Sequence, residues 1–332
     1  MTERLRIASF NLENLDDGPG NEALFAERVG ILRSQLARLD ADILCLQEVN
    51  SQRTDPKIRR KRSLRALKKL LVGTSYESFE IAAVGGVHLN SIADRHNLVI
   101  ASRFPIWEYR SIRHENVSPP LYTLATANPG ASRNEPVEWD RPVLYAAIVL
   151  PDKRLLHIFN VHFRAPLAAH VSGQKVKPMV WKTVSGWAEG FFMASVKQAG
   201  QALEVRMAIE KIFDRQSDAL IVAVGDFNAD DRYMPTRIVT ADPEDTGNGL
   251  LAPRMMVPLE RTLPEHQRFS VLHAGTAMML DHLLVSRPLL AYYRSIEVHN
   301  EALGDEVTAR NIHPASPESY HAPLVAEFVV PD

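Results

Sequence analysis

The chain has 332 residues, of which 45% are hydrophobic, so it can bury a large core. Thirty-eight lysines and arginines stand against 40 acidic residues, and the net charge of −2 excludes a general attraction to polyanions. Nucleic-acid binding would therefore depend on local basic patches. The single cysteine, Cys45, excludes an internal disulfide. With no signal-peptide pattern at the N-terminus and no apolar run of membrane-spanning length, we expect a reducing, cytoplasmic location and no integral membrane segment.

Short apolar runs along the chain predict buried strands, and two longer segments have helical periodicity. The predicted strands are 5–12, 42–49, 96–102, 143–150, 155–163, 219–227, 280–286 and 322–330, and the predicted helices are 22–39 and 195–215. Helices separate some strands, whereas 143–150 and 155–163 are close enough to form a hairpin. The pattern predicts an α/β fold with two mixed sheets in a single domain, 1–332. Two polar segments, 114–142 and 230–269, are expected to form long surface loops.

Polar side chains recur where the apolar runs begin or end. They are Asn11, Glu48, Asn160, His162, Asp226, Asn228, Asp281, His282 and His321. A buried carboxylate without a partner is unstable by several kcal/mol, on the order-of-magnitude scale for desolvation, so a cluster of them implies a cation or hydrogen-bond donors. Oxygen ligands without a nearby cysteine suit Mg²⁺ or Mn²⁺. With histidines for proton transfer, this inventory predicts metal-assisted attack of water on a phosphate ester.

The ordered motifs "FNLEN", "LQEV", "NVHF", "GDFNA", "LDHLLVS" and "SYHAPLVAEF" resemble the endonuclease/exonuclease/phosphatase superfamily, which includes exonuclease III and the DNase I group. The resemblance extends from Arg6 to Val330. It implies a four-layer α/β sandwich, in which two mixed sheets pack face to face with helices outside.

The resemblance also implies roles for individual residues. Glu48 corresponds to the Mg²⁺ ligand, and Asn11 to an amide that assists at both metal and phosphate. Asp226 corresponds to the acid that orients or activates the attacking water, and Asn228 to the amide that holds a phosphoryl oxygen.

The remaining implied residues surround the phosphate. His162 is expected to contact the scissile phosphate, and Asp281 to orient His321, which stabilises the transition state or assists the leaving group. Arg141, in "WDRPVLYA", is a candidate phosphate clamp. Asn160, close to His162 in sequence, is a further candidate for substrate binding.

One motif departs from the family pattern. The superfamily usually has Ser-Asp-His in its last motif, whereas this chain has Ser319-Tyr320-His321. The usual aspartate contributes to metal binding, and tyrosine cannot replace a carboxylate at neutral pH. The departure leaves open whether one or two metals bind.

Structural explanations compete with these functional ones. Asp226 and Asn228 are ordinary turn residues, and an asparagine after a strand, such as Asn11, is common. His282 is expected to be structural, because Asp281 already fits the family role. Cys45 is expected to be a small buried hydrophobe.

Two further segments have alternative interpretations. The basic run 57–71 contains eight lysines and arginines and ends in an amphipathic helix; it is either a solvated face or a footprint for an anionic backbone or membrane. Segment 175–194 mixes lysines with Trp181, Trp187, Phe191 and Phe192. These aromatic side chains could stack on bases, but we expect them to cover the core.

The sequence therefore predicts a phosphodiesterase that uses Mg²⁺ or Mn²⁺, with nucleic acid as the favoured substrate. Motifs shared across a family do not decide the substrate, because loops determine it. A small or lipid-linked phosphate ester is the alternative substrate, and a catalytically weakened binding protein is the alternative class. The retained acids argue against that second class.

Overall fold

The computed structural model describes residues 2–18, 22–55, 62–85, 92–93, 95–241, 249–308 and 317–331. Within them, two six-stranded sheets pack against each other. None of the described helices is long and apolar enough to cross a bilayer.

Strands and helices are numbered in chain order. The strands are β1 Thr2–Leu15, β2 Ile43–Val49, β3 Gln52–Arg53, β4 Arg62–Ser63, β5 Glu80–Ala83, β6 Asn97–Ser102, β7 Ile106–Ile112, β8 Leu121–Tyr122, β9 Glu135–Pro136, β10 Val143–Val149, β11 Leu155–His162, β12 Lys175–Lys177, β13 Val180–Trp181, β14 Leu220–Asp226, β15 Met256–Pro258, β16 Val271–His273, β17 Thr276–Met278, β18 Asp281–Ser286, β19 Tyr293–Val298 and β20 Leu324–Pro331. The α-helices are α1 Glu22–Leu39, α2 Arg65–Leu71, α3 Val184–Phe213, α4 Met234–Thr240 and α5 Arg287–Leu290, and short 3₁₀ helices cover Gly249–Arg254, Leu259–Thr262 and Glu265–Gln267.

Both large sheets are mixed. The first has the order β19-β20-β1-β2-β6-β5, and the second has the order β15-β18-β14-β11-β10-β7. The pairs β1–β2 and β11–β14 are parallel, whereas their outer neighbours run antiparallel. Each sheet therefore has two parallel central strands whose carboxyl ends lie at the same edge.

Three apolar clusters divide the molecule into layers. The central cluster lies between the sheets and includes Ile7, Ile100, Ile158 and Val222. A second cluster joins the outer face of the first sheet to α1 and α2, and a third joins the outer face of the second sheet to α3 and α4. Helices thus cover both sheets on the outside, and the predicted four-layer α/β sandwich is confirmed.

The helices follow from local sequence. In α1, Phe25, Leu32, Leu36 and Leu39 recur at helical spacing and are buried against the first sheet. Helix α3 begins where the Thr183 hydroxyl accepts a hydrogen bond from the Gly186 amide, a typical N-cap.

The differences from the sequence prediction concern mostly strand edges and loops. The eight predicted strands and helix α1 are confirmed, but edge strands β7 and β19 were not predicted because their polar residues interrupt the apolar pattern. The predicted loop 230–269 contains α4 and β15. Helix α3 begins at Val184, eleven residues before the predicted start at 195.

The expectation that the aromatic residues of segment 175–194 cover the core is wrong for three of the four. Trp187, Phe191 and Phe192 are 45%, 39% and 48% exposed. They lie on the solvent side of the first turns of α3, where the opposite side carries the small residues Gly186 and Gly190. Gly186 lies so close to the Gln174 side chain, and Gly190 to the Ala169 carbonyl, that a Cβ at either position would clash. The first turns of α3 therefore pack against the segment 169–174 through their small residues.

Candidate active site

The sheet topology brings the polar strand ends to one edge of the sandwich. Parallel pairing aligns the end of β11 with that of β14, so that His162 is opposite Asp226. Because β18 runs antiparallel to β14, its first residue, Asp281, is also opposite Asp226. By the same rule, β20 begins beside the end of β1, which places His321 at this edge.

The end of β14 depends on a glycine. Gly225 has φ +132°, and a Cβ there would lie 2.1 Å from the Val161 carbonyl oxygen. Only glycine therefore allows β14 to approach β11 at this point. The next residue, Asp226, is buried, and its Oδ1 accepts a hydrogen bond from the Asn228 amide at 2.8 Å.

The carboxylate of Glu48 is largely buried at the end of β2. Its Oε2 is buried and has no hydrogen-bond partner among the described residues. Burial alone would raise the pKa of this carboxyl, but the adjacent His96 imidazole helps to lower it to about 2. Glu48 is therefore ionised at neutral pH, and its buried Oε2 has a lone pair without a hydrogen bond from any described residue, which is the property expected of a metal ligand.

His96 is a site residue that the sequence analysis missed. Its Nδ1 lies 3.3 Å from Glu48 Oε2, and this nitrogen is likewise buried without a hydrogen bond in the described part of the chain. The residue precedes β6, which pairs antiparallel with β2 so that Asn97 is opposite Val49. That pairing is the signal that would have placed His96 beside Glu48.

Two polar side chains lie between Glu48 and Asp226. Asn11 Nδ2 donates to Asp226 Oδ2 at 3.0 Å and to Glu48 Oε1 at 3.5 Å, while its Oδ1 accepts from the Glu13 amide. His162 Nε2 is 3.7 Å from Glu48 Oε1 and 3.5 Å from Asp226 Oδ2. Asn11 thus orients both carboxylates, but its amide oxygen is turned toward the Glu13 backbone, which does not favour the predicted role as a metal ligand.

A carboxylate and an imidazole form a partly buried pair beside Asp226. His321 Nδ1 is 2.8 Å from Asp281 Oδ2. Burial alone would lower the pKa of His321, but the negative charge and hydrogen bond of Asp281 raise it to about 10. His321 is therefore a cation near neutral pH, with Asp281 as the group that orients it.

The pKa values of Asp226 and His162 are also shifted, in opposite directions. Burial and the negative charge of Asp281 raise the pKa of Asp226 to about 7. Burial, together with the positive charge of Arg141, lowers the pKa of His162 well below its usual value. Asp226 can thus exchange a proton near neutral pH, whereas His162 is a neutral imidazole.

Arg141, Asn228 and Tyr320 complete the wall of one cavity of about 210 Å³. Arg141 Nη1 lies 3.5 Å from the Phe163 carbonyl, and Asn228 Nδ2 donates to the same oxygen at 3.1 Å. Tyr320 is buried, and its backbone amide donates to the Glu13 carboxylate. The cavity also contains Glu48, His162, Asp226 and His321.

Asn160 does not face this cavity, which corrects its prediction as a substrate-binding residue. Its side chain is fully buried between the sheets, where Nδ2 donates to the carbonyls of Leu46 and Val99 and Oδ1 accepts from Gln47 Nε2. A substrate cannot reach this amide. Asn160 joins the two sheets directly behind the site.

His282 supports the site from behind. Its ring is fully buried; Nδ1 is 2.5 Å from Glu260 Oε1, and Nε2 donates to the Ala229 carbonyl at 2.7 Å. Burial would lower the pKa of His282, but the Glu260 carboxylate raises it to about 9. This ion pair holds the loop that carries Asn228, in agreement with the structural role expected for His282.

Backbone strain is concentrated at the site. Ten described residues other than glycine have positive φ, and five of them are at this edge: Glu13, Asn14, Glu48, His96 and Asn228. Such conformations cost of the order of 1 kcal/mol or more each and are retained where the surrounding structure enforces them. Their clustering here is an independent sign of a functional site.

The basic run is only partly described, because residues 56–61 lie outside the described residues. Within the described part, α2 is confirmed, and Arg65 and Lys69 both pair with the Asp17 carboxylate. Arg62 contacts Ser51. The Asp17 carboxylate offsets part of the positive charge that Arg65 and Lys69 could present to an external polyanion.

The geometry fits a divalent cation at Glu48. Glu48 Oε2 and the adjacent His96 Nδ1, neither of which has a hydrogen bond among the described residues, could each supply a lone pair. Asp226, Asp281 and His321 form a second grouping whose ligand atoms lie within 4.8 Å of one another. We prefer Glu48, because His321 is positively charged and already neutralises Asp281.

Comparison with known proteins agrees with this fold. The family model described as "Endonuclease/Exonuclease/phosphatase family" matches residues 8–303, whereas no curated protein matches the chain. Among solved structures, a family protein from Bacteroides thetaiotaomicron is similar with a TM-score of 0.58 at 14% identity, over 100% of this chain and 96% of that one.

Two further structures are similar. Truncated Caenorhabditis elegans TDP2 has a TM-score of 0.57 at 14% identity and covers 98% of this chain and 97% of its own. The 3′ phosphatase NExo from Neisseria, bound to a product DNA hairpin, has a TM-score of 0.50 at 17% identity, covering 98% and 99%. At these identities the structures show the fold alone, but the family model spans most of the chain, and the protein belongs to the endonuclease/exonuclease/phosphatase family.

Proposed function

We propose that this protein is a divalent-metal-dependent phosphoesterase that hydrolyses a phosphodiester with activated water. The observation that carries the proposal is the single cavity in which Glu48, Asp226 and His321 meet the arginine and amide side chains of Arg141 and Asn228. It contains a metal-ligand candidate, a proton acceptor, a charged donor and phosphate-binding groups.

Glu48 would hold the metal, with His96 as a second ligand. A bound divalent ion supplies Lewis acidity, polarising a phosphate oxygen. An oxygen ligand alone suits Mg²⁺, whereas an added imidazole nitrogen favours Mn²⁺. We therefore propose that both ions support activity and that Mn²⁺ binds more tightly.

Asp226 is the proposed proton acceptor. Its pKa of about 7 leaves a substantial fraction ionised at neutral pH, and Asn11 orients its carboxylate. As the water oxygen bonds to phosphorus, Asp226 takes the water proton. His162, neutral and close to Asp226, contacts the phosphate by hydrogen bonding rather than by charge.

His321 is the proposed donor to the leaving group. Asp281 keeps its imidazole protonated and oriented. When the bond between phosphorus and the leaving oxygen breaks, His321 stabilises the charge on that oxygen or gives it a proton. Arg141 and Asn228 hold the other phosphoryl oxygens, where an arginine cation offsets their charge.

For the substrate, we propose nucleic acid first. The DNA hairpin bound to the structurally similar Neisseria phosphatase supports this choice. A lipid-linked phosphate ester is the second candidate, favoured by the exposed apolar and lysine-containing surface described below. A binding protein without catalysis is disfavoured, because it has no need for a buried, ionised carboxylate such as that of Glu48.

The test is a hydrolysis screen of the purified protein against DNA, RNA, a small phosphodiester and a lipid phosphodiester, with Mg²⁺, Mn²⁺ or EDTA. We expect metal-dependent turnover of at least one class and its loss in Asp226→Asn, which keeps the shape of the side chain. Turnover that persists in EDTA, or equally in Asp226→Asn, would refute the mechanism. Absence of turnover in every class would favour the binding protein.

A further inference from the structure

The hairpin β12–β13 and the start of α3 expose an unusual number of large apolar side chains. We call these the hairpin surface, and its members are Val176, Met179, Val180, Val184, Trp187 and Phe192. Met179, at the turn of the hairpin, is 79% exposed, and Val184, at the first position of α3, is 82% exposed. Exposed apolar residues are ordinary when scattered, but a contiguous group of them marks an interaction site.

Ring contacts connect the surface into one patch. Trp187 and Phe191 stack with their ring centroids 5.6 Å apart. Phe192 packs against Tyr122, 5.4 Å away, next to the exposed Leu121 on β8. These contacts join the aromatic residues of α3 to β8, and the hairpin adjoins α3 where the Trp181 ring packs against Gly190.

The charge on the hairpin and the first turn of α3 has one sign. Residues 165–188 include three lysines and no aspartate or glutamate. Lys175 Nζ lies 4.5 Å from the Trp181 ring, whereas Lys177 and Lys182 are exposed. The nearby Glu189 is turned inward, where its carboxylate accepts hydrogen bonds from the Ala125 and Thr126 amides.

A short chain segment connects the rim of the candidate active site to this surface. Ala165 lines the catalytic cavity, and Leu167, two residues later, is exposed. The chain then contacts the start of α3, where the Ala169 amide donates to the Gly190 carbonyl.

We propose that the hairpin surface docks on an anionic lipid bilayer. Exposed aliphatic and tryptophan side chains insert at the boundary between headgroups and acyl chains, and lysines contact anionic headgroups. A second copy of this chain is disfavoured, because a two-fold interface would place lysines against lysines. Single-stranded nucleic acid is disfavoured, because the most exposed members, Met179 and Val184, cannot stack on bases.

The inference concerns where the protein binds and does not depend on the proposed reaction. Sedimentation with vesicles in EDTA tests it without hydrolysis. The probes are vesicles of phosphatidylcholine alone and of phosphatidylcholine mixed with phosphatidylserine. We expect the full chain to bind the mixed vesicles and to bind less at high salt.

Two variants separate the apolar and ionic contributions. Met179→Ser/Val184→Ser/Trp187→Ser should lose binding at least about tenfold, because the inserting side chains are removed. Lys177→Ser/Lys182→Ser should lose binding about twenty-fivefold, since each lysine near an anionic bilayer contributes about a fivefold factor. Trp107→Ser/Leu250→Ser, which removes exposed apolar side chains elsewhere, is the matched control and should bind like the wild type.

Circular dichroism and thermal unfolding establish that each variant is folded. If the wild type fails to bind mixed vesicles, or the apolar variant binds as well as the control, the proposal is overturned. The proposal is also overturned if the wild type does not bind vesicles but forms a dimer or binds a fluorescent oligonucleotide, and the apolar variant does neither. That result would assign the hairpin surface to the other partner.

Discussion

At the residue scale, the backbone of Glu48 and His96 is as informative as their side chains. Both residues have left-handed φ values, +57° and +53°, and the His96 amide donates to Asn50 Oδ1 at 3.0 Å. The fold therefore enforces a costly conformation that brings a carboxylate and an imidazole together. Sequence motifs identified Glu48, but nothing in the apolar pattern marks a left-handed residue before a strand, so His96 was missed.

We expect His96→Asn to weaken Mn²⁺ binding by about tenfold, in the range typical for loss of one supporting group at a metal site. Asparagine tolerates the left-handed conformation, so the fold should be retained. Calorimetric titration of Mn²⁺ measures the change. His299→Asn, which removes an imidazole paired with Glu297 outside the cavity, is the matched control. Equal affinity in both variants would exclude His96 as a ligand.

Tyr320 replaces the aspartate that is usual in this motif, and it lines the cavity. Tyr320→Asp should therefore tighten Mn²⁺ binding modestly, because the new carboxylate must lose its own hydration before it binds the ion. The comparison variant is Tyr320→Phe, which adds no ligand. Titration by calorimetry reports affinity and stoichiometry together. If both match the wild type in Tyr320→Asp, position 320 does not contribute to metal binding.

At the element scale, the 3₁₀ helix Leu259–Thr262 and strand β18 are joined by the buried pair of Glu260 and His282. The pKa of His282 is about 9 in the folded protein, compared with about 6.5 in an unfolded chain. The pair should therefore stabilise the fold fully below about pH 6.5 and lose this contribution as the pH rises through about 9.

Chemical unfolding between these two pH values measures that loss. Between these pH values, the free energy of unfolding of the wild type should fall by up to about 3 kcal/mol more than that of Glu260→Gln. The variant lacks the negative charge that raises the pKa of His282. Glu297→Gln, which removes a carboxylate beside His299 near the surface, should keep the wild-type slope. Parallel curves for wild type and Glu260→Gln would contradict the buried ion pair.

The elements predicted from sequence are those with a strong apolar signal. Strands β1, β2, β6, β10, β11, β14, β18 and β20 form the centres of the sheets, where both faces are covered and the apolar runs are nearly continuous. Edge strand β7 exposes four consecutive residues, so its pattern resembles that of a loop. The exposed aromatic side chains of α3 were misjudged because helical spacing alone does not show which face meets the core.

The structure brings most of the site residues predicted from sequence together, but not all of them. Topology brings Asn11, Glu48, His162, Asp226 and His321 together, as the strand-end pattern indicated. Asn160 was misassigned because it shares with His162 the face of β11 that meets the other sheet, but lies two residues further from the strand end, where the sheets bury it completely. The sequence does not show how far along this face the cavity extends.

At the scale of the whole molecule, Asn160 and Gln47 join the two sheets behind the cavity. Asn160→Leu should lower the free energy of unfolding by roughly 3 kcal/mol, because Gln47 and two backbone carbonyls lose a buried partner. Denaturant unfolding measures this value. Asn300→Leu is the matched control: its amide also donates to two carbonyls, at Gln267 and Phe269, but it is half-buried. Equal losses in the two variants would argue against a buried connection between the sheets.

The central claim is that Glu48 holds a divalent metal that hydrolysis requires. The most direct measurement is the rate of hydrolysis of bis(p-nitrophenyl) phosphate with Mg²⁺ or Mn²⁺ and with EDTA, for the wild type and Glu48→Gln. We predict that EDTA abolishes turnover and that Glu48→Gln, folded like the wild type, loses at least about a hundredfold in rate, because the side-chain charge is removed while its volume is kept. A rate in Glu48→Gln close to that of the wild type would contradict the account.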